Sequence, residues 1–352
     1  MTLPTETRQW ILREKPQSVP ILRGDNTTFT LITAPIPKLQ DGQVLLKVHY
    51  ISNDPAQRTW ISPNINKVRF YKSAVNVGEP MRSKGLAEVI DSRATGASNG
   101  VFVVTNTDWC EYSVKNWNEC QIVEEIPGIN LTHYLGAFSF SGLAAYNGLI
   151  SIGRATKDSL VVISGAAGAT GNMAVQIAKK MIGCRKIIGI AGSDEKCRWA
   201  ERAGCDICVN YKSPTFEQDL EAASKEGVDV YFDTDNVGGE ILNMMLPLMN
   251  TFGRIVACGA ISMYYDEGSK LVLTNYRDFI SSRLTMQGFV SIDFKDTAQE
   301  TWKILREAAK DGILELGPQH ETVVDASFED VPKIWASMFE GKNIGKLVAK
   351  LI

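Results

Sequence analysis

Short strand-like runs fill the first third of the chain. Apolar positions that alternate with polar ones or form brief continuous runs, separated by turn residues, predict strands at 43–50, 86–90, 101–104 and 111–114. Runs of this length between about residues 29 and 124 are typical of a mostly antiparallel, barrel-like domain.

The pattern changes near Pro127. From there to about Gly312, apolar strands alternate with helical patterns, which is typical of a doubly wound parallel sheet. The predicted strands are 160–164, 186–191, 206–210, 228–233, 254–258 and 285–290.

The last forty residues return to strand-like patterning. A short amphipathic helix at 328–339 precedes a final strand at 345–352. The chain is therefore expected to leave its first domain, form a second and return to complete the first. We predict one domain from residues 1–128 and 313–352 and a second from residues 129–312.

Composition narrows the range of partners. The 352 residues are 44% hydrophobic and 22% charged, with a formal net charge of -3 and no Lys/Arg-rich block. The protein is therefore not expected to attract a nucleic acid or an anionic membrane electrostatically. A small-molecule partner is expected instead. The first ten residues lack the basic-then-apolar order of a signal peptide, and no apolar run approaches the roughly 20 residues that span a bilayer. We expect a cytoplasmic protein.

The seven cysteines are scattered and odd in number, which favours reduced thiols over a disulfide framework. Cys205 and Cys208 form an isolated C-x-x-C, a spacing that zinc and redox sites also use. Because no second pair follows, we interpret the motif as part of a short buried strand. His49, His133 and His320 do not stand at catalytic or zinc-binding spacing. No metal site is predicted.

A glycine-rich turn gives the sharpest local signal. The strand at 160–164 is followed by Gly165, Gly168 and Gly171 and then by a helical pattern. Glycines allow a tight turn and let backbone amides approach a pyrophosphate at a helix N-terminus. This context predicts a Rossmann-type dinucleotide site.

The next strand indicates which dinucleotide binds. An NAD site typically places Asp or Glu at its tip, whereas here it ends in Gly192 and Ser193, with Lys196 one turn into the next helix. Small residues and a cation fit a 2'-phosphate, while Asp194 is expected to help cap the helix. NADPH/NADP is therefore the predicted cofactor.

Ten short segments stand in order along nearly the whole chain. They are DPAQR at 54–58, WCEY at 109–112, GLAAYNGL at 142–149, GAAGATG at 165–171, AGSDEK at 191–196, NYK at 210–212, DNVGG at 235–239, GAISMY at 259–264, GFV at 288–290 and GKNIGK at 341–346. Together these segments resemble the medium-chain dehydrogenase/reductase superfamily. The resemblance is to its zinc-independent branch of leukotriene hydroxydehydrogenases, prostaglandin reductases and plant double-bond reductases.

This resemblance implies a Rossmann domain, a GroES-like antiparallel barrel domain and a set of site residues. The implied cofactor-binding residues are Gly165, Gly168, Ala169, Thr170, Gly171, Gly192, Ser193, Lys196, Tyr211, Asn236, Ser262, Tyr264, Phe289, Val290 and Asn343. The implied substrate-pocket residues are Asn53, Arg58, Tyr71 and Ala144. Ala144 stands where the family commonly has threonine, and Ala56-Gln57 where it often has an aromatic residue. Asp54 and Arg58 are expected to form an ion pair or turn cap.

The resemblance also implies a reaction, the NADPH-dependent reduction of a carbon–carbon double bond conjugated to a carbonyl, without a metal. Tyr264 is the expected hydrogen-bond donor to the developing oxyanion. Three alternatives stay open: a quinone reductase, a carbonyl reductase and a non-catalytic NADPH-binding structural protein. By analogy with the family, a homodimer is expected, for which residues 271–274 could supply an edge strand.

Overall fold

The chain crosses between two structural units twice. The structure is a computed structural model that describes residues 2–64, 72–234, 239–259, 261, 264 and 272–352. Met1–Leu135 and Glu321–Ile352 form the first unit, and Gly136–His320 form the second. The boundaries expected after residues 128 and 312 lie a few residues earlier along the chain.

The first unit is built on strands. They are β1 (Glu6–Leu12), β2 (Phe29–Pro35), β3 (Gln43–Ser52), β4 (Lys84–Ser92), β5 (Phe102–Asn106), β6 (Tyr112–Asn116), β7 (Gln121–Ile122), β14 (Glu321–Ala326) and β15 (Lys346–Leu351). β1 and β2 form an antiparallel pair. The others form a sheet of order β14-β15-β3-β4-β5-β7, with β6 also paired to β3. All of its pairs are antiparallel except β14 with β15.

Aromatic packing joins the two chain segments of this unit. Trp109 and Trp335 are both fully buried, and their ring centroids lie 5.8 Å apart. Phe29 packs against Trp109 at 5.0 Å and against Trp335 at 5.9 Å. Because such rings bury large apolar areas, they fix the C-terminal helix on the N-terminal strands.

The second unit is a parallel α/β sheet. Its strands are β8 (Leu160–Ile163), β9 (Lys186–Ala191), β10 (Ile207–Asn210), β11 (Val228–Asp233), β12 (Met249–Ala257) and β13 (Thr285–Gly288), in the order β10-β9-β8-β11-β12-β13. All four residues of β8 are buried, as expected when helices cover both faces of a parallel sheet. β12 begins earlier than predicted because Met249 pairs with Val228 ahead of a register shift. The predicted fold class is confirmed.

Helices connect the strands. They are α1 (Gln57–Trp60), α2 (Phe140–Asn147), α3 (Ala169–Gln176), α4 (Asp194–Ala203), α5 (Phe216–Ala223), α6 (Glu240–Met245), α7 (Tyr276–Ser281), α8 (Ala298–Lys310) and α9 (Val331–Ser337). The helix predicted at 328–339 is α9 flanked by two 3-10 turns, Phe328–Asp330 and Met338–Glu340. Across the described ranges, no helix has the length and apolarity that a membrane crossing requires.

Candidate active site

The glycine turn lies between β8 and α3. Gly165 adopts a φ of +56°, a left-handed conformation that favours glycine, and its carbonyl accepts a hydrogen bond of 2.8 Å from the Gly168 amide. Gly168 is the N-cap residue, so the amides of Ala169, Thr170 and Gly171 lie in the first turn of α3. These amides have no carbonyl partner within the helix. The turn therefore presents amide donors and the positive end of the helix dipole.

Gly171 packs the helix directly on the turn. A Cβ added there would lie 2.1 Å from the Gly165 carbonyl oxygen and 2.7 Å from its carbon. Any larger residue would have to push the turn away from the helix. The third glycine therefore holds the turn in the shape that presents the amides.

A buried carboxylate lies beside the turn. The Ser164 hydroxyl donates to Asp233 Oδ1 at 3.0 Å, and the Tyr231 hydroxyl donates to the same oxygen at 3.2 Å. Burial first, and then the Asp233 charge, raise the pKa of Tyr231 well above its ordinary value, so the phenol stays a donor. Sequence reasoning missed this group, although an acid closing an apolar strand is an unusual pattern.

The tips of β9 and β10 form a small basic site. Ser193 caps α4, its hydroxyl accepting from the Lys196 amide at 3.2 Å. A Cβ on Gly192 would lie 2.9 Å from the Tyr211 hydroxyl, so the absence of a side chain there makes room for the tyrosine. The predicted 2'-phosphate residues Gly192, Ser193, Lys196 and Tyr211 thus lie together.

Lys212 adds a second cation that the sequence-based prediction omitted. Burial first, and then the charge of Lys212, lower the pKa of Lys196, while Glu195 opposes the shift. The Lys212 ammonium lies 5.8 Å from the Tyr211 ring centroid. Two lysines that repel one another indicate a site where a dianion would relieve the repulsion.

The remaining predicted residues of the second unit occupy different settings. Phe289 packs beside Gly148, whose added Cβ would lie 3.2 Å from its ring, and the Val290 amide donates to Asp293 at 3.0 Å. Ala144 is buried within α2.

Tyr264 is half-buried, and its backbone amide donates to the Ile261 carbonyl at 3.1 Å. Asn236 and Ser262 lie outside the described residues, as does Tyr71, which stands earlier in the chain.

In the first unit, Asp54 is bound by Lys346 and not by Arg58. The Lys346 ammonium lies 2.5 Å from Asp54 Oδ1, and the Ser52 hydroxyl donates to Oδ2 at 2.6 Å. Burial opposes ionisation, but Lys346 and Ser52 together lower the pKa of Asp54. The ion pair expected between Asp54 and Arg58 is therefore wrong.

Arg58 has a structural setting. Its side chain is fully buried and donates to the Pro16 and Ser18 carbonyls at 3.2 and 3.0 Å. The guanidinium thus fixes the loop after β1. Its distance in sequence from both carbonyl partners explains why spacing alone suggested Asp54.

Two of the predicted site residues in this unit are asparagines, Asn53 for the substrate pocket and Asn343 for the cofactor. Asn53 is 1% exposed, and its Oδ1 has no hydrogen-bond partner. An orphaned buried acceptor is costly, so it is suited to a donor brought by a ligand. Asn343 is half-buried, and its amide donates to the Gly345 carbonyl at 3.0 Å.

Sequence reasoning also missed Lys84, which lies near Asp54. Burial lowers the pKa of Lys84 to about 8, with Asp54 opposing the shift and Lys72 and Lys346 adding to it. Three lysines around one carboxylate give this part of the first unit a positive electrostatic potential.

Both halves of the chain match known families. Residues 8–123 match a model described as the N-terminal domain of oxidoreductase, and residues 169–308 match one described as a zinc-binding dehydrogenase. Prostaglandin reductase 1 of Bos taurus is 33% identical over 97% of this chain and 98% of its own. The NADPH-dependent curcumin reductase of Escherichia coli is 29% identical over 98% of this chain and 96% of its own.

A solved structure extends this likeness. CurA from Vibrio vulnificus, crystallised in complex with NADPH, superposes with a TM-score of 0.85 at 30% identity, over 98% of this chain and 99% of that one. The chain belongs to the medium-chain dehydrogenase/reductase superfamily. Within that superfamily it is an oxidoreductase of the zinc-independent prostaglandin reductase branch, as the sequence resemblance predicted.

The residues of this medium-chain reductase fit a dinucleotide. Gly171 and Gly192 each leave a space that a Cβ would fill, at the two places where the turn and the basic site need close packing. One of the two family models is described as zinc-binding. Within the part of the chain that the structure describes, no group of three or more His, Cys, Asp or Glu side chains is arranged to hold a metal ion.

Proposed function

We propose that this protein is an NADPH-dependent reductase of the carbon–carbon double bond in α,β-unsaturated ketones and aldehydes. The choice of NADPH as the cofactor rests on the basic site, where Lys196 and Lys212 flank Tyr211 and the Gly192-Ser193 turn. Relatives that are named for NADPH or crystallised with it support this choice. The substrate class follows the prostaglandin reductase and curcumin reductase relatives.

Each part of the proposed nucleotide site has a separate role. The α3 amides would hold the pyrophosphate, and the basic site would hold the 2'-phosphate. Phe289, Val290 and Asn343, with Asn236 and Ser262, are proposed for the nicotinamide half. When bound, NADPH supplies the hydride that the β-carbon of the substrate receives.

Tyr264 is proposed as the donor to the substrate oxygen. Hydride addition at the β-carbon leaves negative charge on the carbonyl oxygen, and a hydrogen bond placed there lowers the barrier. A phenol with a pKa of about 10 is protonated at neutral pH and can donate. Asn53 and Ala144 are proposed for the substrate pocket, as is Tyr71.

The test is a panel of enones, enals and quinones, with NADPH consumption measured and each product identified. A saturated ketone from an enone supports the proposal. An allylic alcohol would instead indicate a carbonyl reductase, and turnover of quinones alone a quinone reductase. If the protein binds NADPH but consumes it with none of the compounds in the panel, the result would indicate a non-catalytic protein.

We also propose that the protein is a cytoplasmic homodimer. The edge strand expected at 271–274 is wrong for its described part, because residues 272–274 are not in a strand. One of the two edge strands of the sheet is β13, all four of whose residues are exposed. Exposed Tyr276, Ile280 and Met286 lie on β13 or on the helix before it, which makes this edge the proposed contact between copies.

A further inference from the structure

Lys84, at the start of β4, lies across the sheet from Ser52, at the end of β3. Ile51 pairs with Gly85 in the antiparallel ladder. One step further along, Ser52 and Lys84 stand opposite one another, with their side chains on the same face. Ile51 belongs to the apolar core on the other face. The half-buried Lys84 side chain therefore projects from the face of the sheet that this core does not cover.

Beside Ser52, an ion pair balances its own charge. The Lys346 ammonium lies 2.5 Å from Asp54 Oδ1 and donates to the Asn53 carbonyl at 2.8 Å. The other carboxylate oxygen of Asp54 accepts a hydrogen bond of 2.6 Å from the Ser52 hydroxyl. Both oxygens of Asp54 are thus bound, and the charges of Asp54 and Lys346 cancel.

A chain of hydrogen bonds holds Lys72 in the same neighbourhood. The Gln57 side chain accepts from the Asp54 amide at 2.8 Å and donates to the Arg82 carbonyl at 2.8 Å. The Arg82 guanidinium in turn donates to the Ser73 carbonyl at 2.6 Å. Because Ser73 follows Lys72 in the chain, Lys72 is held beside the turn at Asp54 and the start of β4.

The half-buried Lys72 side chain lies in a setting suited to a cation. Its ammonium is 4.1 Å from the centroid of the Trp60 ring, and the face of an aromatic ring attracts positive charge. Asp108, which acts on Lys72 electrostatically, lies 3.3 Å from the Lys115 ammonium, so its charge is offset there. Lys72 therefore adds to the positive charge of this part of the first unit.

Lys72 and Lys84 together give this neighbourhood an excess of positive charge. Burial lowers the pKa of Lys84 to about 8, with Asp54 opposing the shift and Lys72 and Lys346 adding to it. The Lys84 ammonium is thus still protonated at neutral pH, although burial disfavours its charge. A carboxylate placed beside the two ammonium groups would stabilise their charged forms. An anion is therefore the ligand that this arrangement of described residues favours.

We propose that Lys84 and Lys72 bind a carboxylate of the substrate, so that the preferred enone is a 4-oxo-2-alkenoic acid. This substrate class refines the proposed function and rests on it. Asn53, which is proposed for the substrate pocket, directly follows Ser52, the residue opposite Lys84. The anion and the reacting part of the substrate would thus be held by neighbouring residues. That closeness favours an acid whose carboxylate adjoins its double bond.

The carboxylate is a binding group and does not react. The carbon β to the ketone receives a hydride from NADPH, and the α-carbon receives a proton from water. The carbon–carbon double bond becomes a single bond, and NADPH is oxidised to NADP. The acid 4-oxo-2-pentenoate therefore yields 4-oxopentanoate, with its carboxylate unchanged.

The experiment compares 4-oxo-2-pentenoate with its methyl ester, which lacks the charge, at neutral pH. We expect the acid-to-ester ratio of kcat/KM to fall about tenfold in Lys84→Gln and to be retained in Lys84→Arg, which keeps the charge. Because each ratio is taken within one variant, any loss of active protein cancels, as does the different reactivity of the two compounds. Lys72→Gln should lower the ratio in the same direction. A ratio that is unchanged in both Gln variants would overturn the anion site.

An exposed lysine of the same sheet provides the matched control. Lys47 lies in β3 and pairs with Glu88 of β4, and its side chain is exposed. Lys47→Gln removes the same charge and should keep the acid-to-ester ratio of the unaltered protein. An equal fall of the ratio in Lys47→Gln and Lys84→Gln would indicate general attraction of anions and would contradict a specific site.

Binding without turnover separates the anion site from the proposed function. By calorimetry, 4-oxopentanoate should bind the unaltered protein about tenfold more tightly than methyl 4-oxopentanoate, and the difference should disappear in Lys84→Gln. This result, combined with no NADPH oxidation on any enone, would count against the proposed function and not against the anion site. Reduction of the ester and of neutral enones, with equal binding of 4-oxopentanoate and its ester, would leave the function standing and overturn the anion site.

Discussion

The Ser164 hydroxyl lies 3.0 Å from Oδ1 of the buried Asp233, joining the carboxyl ends of β8 and β11. The Thr234 amide donates to the same hydroxyl oxygen at 2.9 Å, and the Thr234 hydroxyl donates to the Ser164 carbonyl at 2.6 Å. These bonds fix the residue immediately before the glycine turn. The shape of the turn therefore depends on a strand 70 residues further along the chain.

Replacing this carboxylate should weaken the second unit. In Asp233→Ala, the hydroxyls of Ser164 and Tyr231 would lose the oxygen to which they donate, and we expect a loss of about 1–3 kcal/mol in unfolding free energy. Urea denaturation measures the change. Asp311→Ala, at an exposed position after α8, is the matched control. Equal stability of the two variants would show that the Asp233 network is not stabilising.

The basic site should decide between the two nicotinamide dinucleotides. Lys196→Ala is expected to raise the KM for NADPH about tenfold, the effect of losing roughly 1.4 kcal/mol, and to leave the KM for NADH nearly unchanged. Lys212→Ala should act in the same direction. Steady-state kinetics with both cofactors provide the measurement, with Lys303→Ala on the exposed face of α8 as control. Parallel changes for NADH and NADPH would rule out a 2'-phosphate contact.

Removing the proposed oxyanion donor should affect chemistry more than binding. Tyr264→Phe is expected to lower kcat by about 10² to 10³ with little change in NADPH affinity, because the lost hydrogen bond forms mainly as charge develops. Tyr276→Phe, at an exposed tyrosine of the same unit, is the control. An unchanged kcat in Tyr264→Phe would remove this residue from the mechanism.

Lys84 should make stability depend on pH. Its pKa is about 8 in the folded protein against an ordinary value of 10.5, so between these values the unfolded chain binds more protons. The unfolding free energy should therefore rise with pH across this window, by on the order of 2 kcal/mol relative to Lys84→Gln. Denaturation at a series of pH values tests this, with Lys333→Gln, 68% exposed, as control. A difference that stays flat or falls would contradict the buried charge.

The β13 edge should hold two copies together. Met286→Lys places a charge on an exposed edge strand, and we expect it to convert a dimer into a monomer. Light scattering after gel filtration gives the mass of each species. Val323→Lys alters a comparably exposed apolar residue on β14 and should leave the mass unchanged. A monomeric unaltered protein would end the dimer proposal before any variant is made.

Sequence patterning predicted the central strands of the parallel sheet well because β8, β9 and β11 are buried along nearly their whole length. Continuous apolar runs such as 160–163 and 187–191 have few alternatives in a chain of this composition. β1 escaped prediction because it alternates polar residues with Trp10 and Leu12 and draws part of its hydrogen bonding from distant backbone, including the Trp109 carbonyl at 3.0 Å. A local sequence pattern does not reveal a hydrogen bond to a residue so far along the chain.

The candidate site was predictable only where a motif is contiguous. The glycine turn and the Gly192-to-Lys196 segment are continuous in sequence, and the structure gathers them as the motif implies. Asp54 was assigned the wrong partner because Lys346 lies 292 positions away, while Arg58 lies one helical turn away. Sequence spacing favours Arg58 as the partner of Asp54, whereas the folded structure places Lys346 beside it.

The pairing of β15 with β3 has a consequence for biosynthesis. Val348 lies opposite Ser52 in the sheet, so the first unit lacks an interior strand until β15 has been synthesised. The second unit, contained in one continuous stretch, can fold while the nascent chain is still tethered. During that interval residues 50–52 of β3 lack the partner strand that β15 later provides.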